Sequence, residues 1–111
     1  MNEAKLGFQH DYENETMTFE QVSQLNGVTL LEFGTPWCGH CKAASPAIKA
    51  ALTKHANFPH IKVYDGKGKP LGRAFKVKLW PTLILLHEGK EVARLVRPLQ
   101  AHQVCDLIKH E

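Results

Sequence analysis

Two cysteines separated by two residues, Cys38-Gly39-His40-Cys41, stand between an apolar run, Val28 to Phe33, and a segment of helical spacing that begins at Lys42. A thiol pair at a strand-to-helix junction is suited to thiol–disulfide exchange. At the N-terminus of the coming helix, Cys38 would meet unpaired backbone N–H groups and the positive end of the macrodipole, both of which favour an anion. A thiolate is such an anion, and it is the attacking species in exchange. Cys41, one helical turn on, is close enough to attack the Cys38 sulfur of a mixed disulfide and release the partner. The same spacing also supplies half of a tetrahedral zinc site, which prefers thiolates as well. The other half is missing: Cys105 is the one further cysteine, and the seven scattered histidines include no His-x3-5-His pair near it.

The elements that must position this pair can be read along the chain. Thr18 is an N-cap with Gln21 at the third helical position, and Asn26-Gly27 is a stop, so Phe19 to Leu25 is predicted as a short helix. Val28-Thr29-Leu30-Leu31-Glu32-Phe33 carries a single acid in an apolar run, the pattern of a strand covered on both faces. From Cys41 the residues Ala43, Ala44, Ala47, Ile48, Ala51 and Leu52 repeat at helical spacing, with Pro46 inside and a kink expected there. Ile61 to Tyr64 reads as a second strand ending at Asp65-Gly66, and Pro70 to Phe75 as a short crossing helix. Thr82 to Leu86 and Glu91 to Val96, joined by His87-Glu88-Gly89-Lys90, suit an antiparallel hairpin, and Leu99 to Lys109 a closing amphipathic helix. The sum is an α/β fold, a mixed central sheet with helices on both faces, and the stretch before Thr18 yields no strand assignment.

Length fits one domain over residues 1–111, large enough to bury a core without staples. The net charge of +3 is spread along the chain without a run or aromatic interleaving, so nucleic acid is not an expected partner. No apolar stretch reaches transmembrane length, and Met1 to Asp11 lacks the charged and apolar regions of a signal peptide. An odd count of three cysteines fits one working pair plus a reduced thiol, Cys105, packed as a small hydrophobe, and with it a cytoplasmic location. A periplasmic or other oxidising compartment is the alternative if a signal peptide has been removed.

With these elements placed, the chain resembles the thioredoxin superfamily from about Thr18 to Ile108. Glu32-Phe33-Gly34-Thr35-Pro36-Trp37-Cys38-Gly39-His40-Cys41-Lys42, with Pro46 following, looks like the active-site segment of protein disulfide isomerase domains; Trp80-Pro81-Thr82 before an apolar strand is the second motif. The resemblance implies the thioredoxin fold, Cys38 as nucleophile and Cys41 as the deeper, resolving thiol. Glu32 takes the position of a buried acid, aspartate in bacterial thioredoxins and glutamate in disulfide isomerases. Burial favours the protonated form of such a group, so it can pass a proton to or from Cys41. Trp37 is expected to pack beside the pair and shield it. Pro81 is implied to be cis and, with Trp80, Gly39 and His40, to meet the substrate. His40, where thioredoxins commonly have proline, adds a group that can be cationic beside the same helix N-terminus and favours a more oxidising pair.

The implied activity is disulfide reduction or exchange on protein substrates by a monomer, without a bound cofactor or metal and with a thioredoxin-reductase-like electron donor. Exported disulfide oxidase or isomerase, a docking module with little turnover, and a metal-binding module are the alternatives. Two residues depart from the pattern. Arg97 stands where thioredoxins usually have glycine near the site, and Ile61 where many have a buried lysine, with Lys62 one residue off.

Overall fold

The computed structural model describes residues 5–13, 17–66 and 68–109. Its elements are β1 (Lys5–Leu6), α1 (Phe19–Ser23), β2 (Val28–Gly34), α2 (Gly39–Lys54), β3 (Pro59–Tyr64), α3 (Pro70–Ala74), β4 (Thr82–His87), β5 (Lys90–Val96) and α4 (Ala101–Ile108). The five strands form one mixed sheet in the order β1-β3-β2-β4-β5. β2 runs parallel to β3 and antiparallel to β4, and β4 antiparallel to β5. Its four longer strands are those the apolar runs predict, with β2 at the centre.

Each face of the sheet carries its own apolar core, because side chains alternate along every strand. Leu30, Leu83 and Leu85 pack with Ala44, Ile48, Ala51 and Leu52 of α2 and with Val104, Leu107 and Ile108 of α4. Leu31, Phe33, Ile61, Val63, Ile84 and Leu86 face the other way, toward Val22 of α1 and Leu71 of α3. Helices therefore cover both faces, as expected.

Boundaries differ from expectation where local chemistry outweighs periodicity. α2 begins at Gly39, before the first apolar repeat, because Cys38 itself caps it. The helix then runs on through Pro46. α1 ends at Ser23, and its capping box is formed: the Gln21 N–H donates to Thr18 Oγ1 (3.1 Å) and the Thr18 N–H to Gln21 Oε1 (2.9 Å). The β4–β5 turn is tighter than the four residues expected, with Glu88 (φ 52°) and Gly89 (φ 78°) both left-handed as a type I′ turn demands. Before Thr18 the two-residue β1 pairs with β3, and Glu13 makes a single bridge to Val63. Pairing that brief leaves no periodic trace in a sequence.

Candidate active site

The sheet register gathers the candidate residues at one end. β2 ends at Gly34, beside Tyr64 of β3, while Phe33 faces Thr82 at the start of β4 and Thr82 faces Val96 at the end of β5. The loop bearing Trp37 and Cys38, the Tyr64-Asp65 corner, Trp80-Pro81 and Arg97 thus share the carboxyl end of the central parallel pair. Ligand sites of open α/β sheets lie at such ends.

Cys38 holds the N-cap position of α2, and its Sγ accepts the backbone N–H of Cys41 at 3.2 Å. Both cysteines are reduced and buried, Cys41 (3% exposed) more deeply than Cys38 (9%). Burial, reinforced by the hydrogen bond with Cys38, pushes the Cys41 thiol up to about 12, against smaller opposing contacts from the Thr35 backbone and Tyr12. Space for this thiol comes from Gly34, where a Cβ would stand 2.6 Å from Cys41 Sγ and 3.0 Å from the Tyr12 hydroxyl. Tyr12 comes from the N-terminal segment, and burial, then the nearby Glu32 and Cys41, hold its phenol well above the usual range. A cleft of about 510 Å³ opens beside Cys41 between Tyr12, Tyr64, Pro36 and Lys42.

Glu32 is 1% exposed and lies two residues before Gly34 on the same sheet face. Its Oε1 is 3.0 Å from Nε2 of His60, which is equally buried. Lys62 is the register partner of Glu32, so it shares that face, whereas Ile61 points into the opposite core. The buried lysine is therefore present at Lys62, on the face of Glu32, because the strand's alternation turns Ile61 the other way. Lys62 Nζ donates to the His10 carbonyl (3.0 Å) and lies 4.3 Å from the centre of the Tyr12 ring.

Trp37, next to Cys38 in the chain, is 64% exposed. It stands edge-on to Trp80 (5.7 Å, 78°), and its Nε1–H donates to the Tyr64 hydroxyl at 3.3 Å. Trp80 is tied down in turn by its Nε1–H donating to Asp65 Oδ2 (2.9 Å), and the Trp80–Pro81 bond is cis. Gly39 and His40 are exposed on the first turn of α2. Arg97, at φ 53°, donates its backbone N–H to the Pro81 carbonyl (3.0 Å) and its Nε–H to the Trp80 carbonyl (2.8 Å), so it braces the Trp-Pro corner. Cys105 lies away from the pair, half-buried on α4 against the core beneath α2.

Sequence reasoning missed Tyr12 and His60. Neither sits in a motif, and both reach the site through chain crossings.

The thioredoxin family model matches residues 11–110. The structure resembles that of reduced thioredoxin 2 from Pseudomonas aeruginosa PAO1 at TM-score 0.82 and 42% identity, covering 94% of this chain and 100% of that one. Barley (Hordeum vulgare) protein disulfide-isomerase is 34% identical over 89 residues, 74% of this chain. Arabidopsis thaliana thioredoxin H2 is 28% identical over 78 residues, 70% of this chain. The matched regions span 59% of that thioredoxin and 17% of the barley isomerase. A family model matched over nearly the whole length and a shared fold lead to one conclusion: the chain belongs to the thioredoxin family.

Proposed function

We propose that this protein is a monomeric, single-domain thiol–disulfide oxidoreductase acting on protein disulfides. The observation that carries the reading is the capped, reduced Cys38 sulfur with a deeper thiol, Cys41, one turn behind it. The Cys38 thiolate attacks one sulfur of the substrate disulfide and expels the other as a thiolate, which takes a proton. Cys41 then loses its proton to Glu32 and attacks Cys38 Sγ, expelling the second substrate sulfur and closing the Cys38–Cys41 disulfide. Two electrons have passed to the substrate, and an external dithiol or a thioredoxin-reductase-like donor must return them. Trp37, Gly39, His40, Trp80 and Pro81 form the surface that meets the substrate around Cys38. A reducing, cytoplasmic setting suits this direction.

The Cys-Gly-His-Cys segment and the isomerase relative favour a second direction, oxidation or isomerisation in an oxidising compartment. The reduction potential separates the two: a pair near about −270 mV acts as a reductant, one near about −180 mV as an oxidase or isomerase. Equilibration in glutathione buffers measures it. In parallel, Cys41→Ser is expected to accumulate mixed disulfides with protein substrates, and Cys38→Ser to abolish both capture and turnover. A pair that never closes in an oxidising buffer would reject both directions.

A further inference from the structure

The dithiol chemistry leaves one buried polar group unexplained. His60 is 1% exposed on β3, with Phe8 stacked over its ring at 5.8 Å. The backbone N–H of Gln9 donates to Nδ1 (2.9 Å) and Glu32 Oε1 lies 3.0 Å from Nε2. An N–H aimed at Nδ1 leaves no room for a proton there, since two donors would face each other. Nδ1 is thereby the accepting nitrogen of the ring, the proton sits on Nε2, and Nε2–H donates to Glu32.

Such a donor decides what Glu32 can do. A carboxylate in an apolar interior reverts to its protonated form unless hydrogen bonds hold the charge, and a protonated acid cannot receive the Cys41 proton. Lys62 faces Glu32 across the strands, but its ammonium is turned to the His10 carbonyl. The other ionisable groups toward this spot are Lys5, His10, Asp11 and Glu13 around a small cleft at the N-terminal segment, with Tyr12 and Cys41 on the site side. His60 is the one side chain among the described residues that gives Glu32 a hydrogen bond. Resting on the dithiol reading above, we propose that His60 is a positioning residue for the resolution step: locked as its Nε2–H tautomer by the Gln9 backbone, it holds Glu32 ready to accept the Cys41 proton.

The test follows resolution of a preformed mixed disulfide with a peptide thiol in single-turnover kinetics across pH, for the wild-type chain, His60→Leu and His60→Gln. His60→Leu is expected to move the midpoint of the rate profile up by about one to two pH units, the equivalent of one hydrogen bond to a charged group. Its rate near neutral pH falls about tenfold or more, while the rate of Cys38 attack is unchanged. Gln, whose amide N–H can still reach Glu32, recovers most of the shift. A folded Leu variant with the wild-type midpoint would overturn the proposal. Should that variant not fold, nitrogen chemical shifts of His60 in the wild-type chain decide: a bare Nδ1 at neutral pH supports it, and a protonated Nδ1 rejects it. A wild-type chain that forms no mixed disulfide overturns the dithiol reading along with the role of His60. An active chain with an unmoved profile overturns the role of His60 alone.

Discussion

A thiol pushed up to about 12 is no nucleophile near neutral pH until a neighbour takes its proton, so the proposed attack by Cys41 depends on a base. Glu32→Gln keeps the shape of the side chain and removes the base. It is expected to slow resolution by about 10²-fold, within the range of a positioned acid or base, and to leave the first attack by Cys38 within a few-fold of wild type. Stopped-flow kinetics of the two steps will separate them. At Gly34 the added methyl of an alanine would collide with Cys41 Sγ at 2.6 Å, and Gly34→Ala should cost about 1–3 kcal/mol and displace the thiol from Cys38. Denaturant titration measures the first effect and the reduction potential the second. The dithiol is legible in the sequence from local order, strand then cap then helix, and Glu32 from the resemblance to the thioredoxin superfamily. His60 and Tyr12 are not, since they reach Glu32 and Cys41 through register and an N-terminal crossing that no nearby pattern announces. The same logic explains Lys62: a shift of one position along a strand reverses the face, so likeness to other sequences misplaced what the pleat decides.

Each helix and turn is held by a small number of identifiable groups. Thr18→Ala removes one half of the α1 capping box and should destabilise the chain by about 1 kcal/mol, read from the midpoint of urea unfolding. The β4–β5 turn is less forgiving. Gly89 has φ 78°, and a Cβ there would overlap the Ser23 carbonyl at the end of α1. The turn is also pinned to the α1–β2 junction by the Glu88 N–H on the Gly27 carbonyl (2.8 Å) and the Gly27 N–H on Glu88 Oε2 (2.6 Å). Long apolar strands and the helix of α2 were plain from periodicity. The place of Cys38 at the helix N-terminus was legible as well, although the apolar repeat begins only after the first helical residue, Gly39.

Across the whole molecule, stability and redox state are linked through protons. Folded, Cys41 keeps its proton to about 12, whereas an unfolded cysteine loses it near about 8.5. Between those values the unfolded chain binds fewer protons, so the stability of the reduced form is full below that window and is lost as pH rises through it. The oxidised form has no thiol at this position and lacks this slope. Chemical denaturation of both forms at about pH 7 and about pH 10 should therefore show the oxidised form gaining on the reduced one at the higher pH. Two cores on opposite faces of one sheet were foreseeable from the alternation of the strands, and the sealing of its outer edge was not.

That edge is covered by the N-terminal segment. Beyond β1, the Gly7 N–H donates to the Phe58 carbonyl, the Glu13 N–H to the Lys62 carbonyl and the Tyr64 N–H to the Glu13 carbonyl. The stretch that hides the open side of β3 is the one that delivers Gln9 to His60 and Tyr12 to the thiols. Proteolytic trimming there would bare a row of unpaired backbone groups, an invitation to strand-to-strand self-association, while stripping the site of two of its supports. Solubility and catalytic competence would consequently be lost together, and a nicked population would leave solution as aggregate instead of persisting as a half-active enzyme.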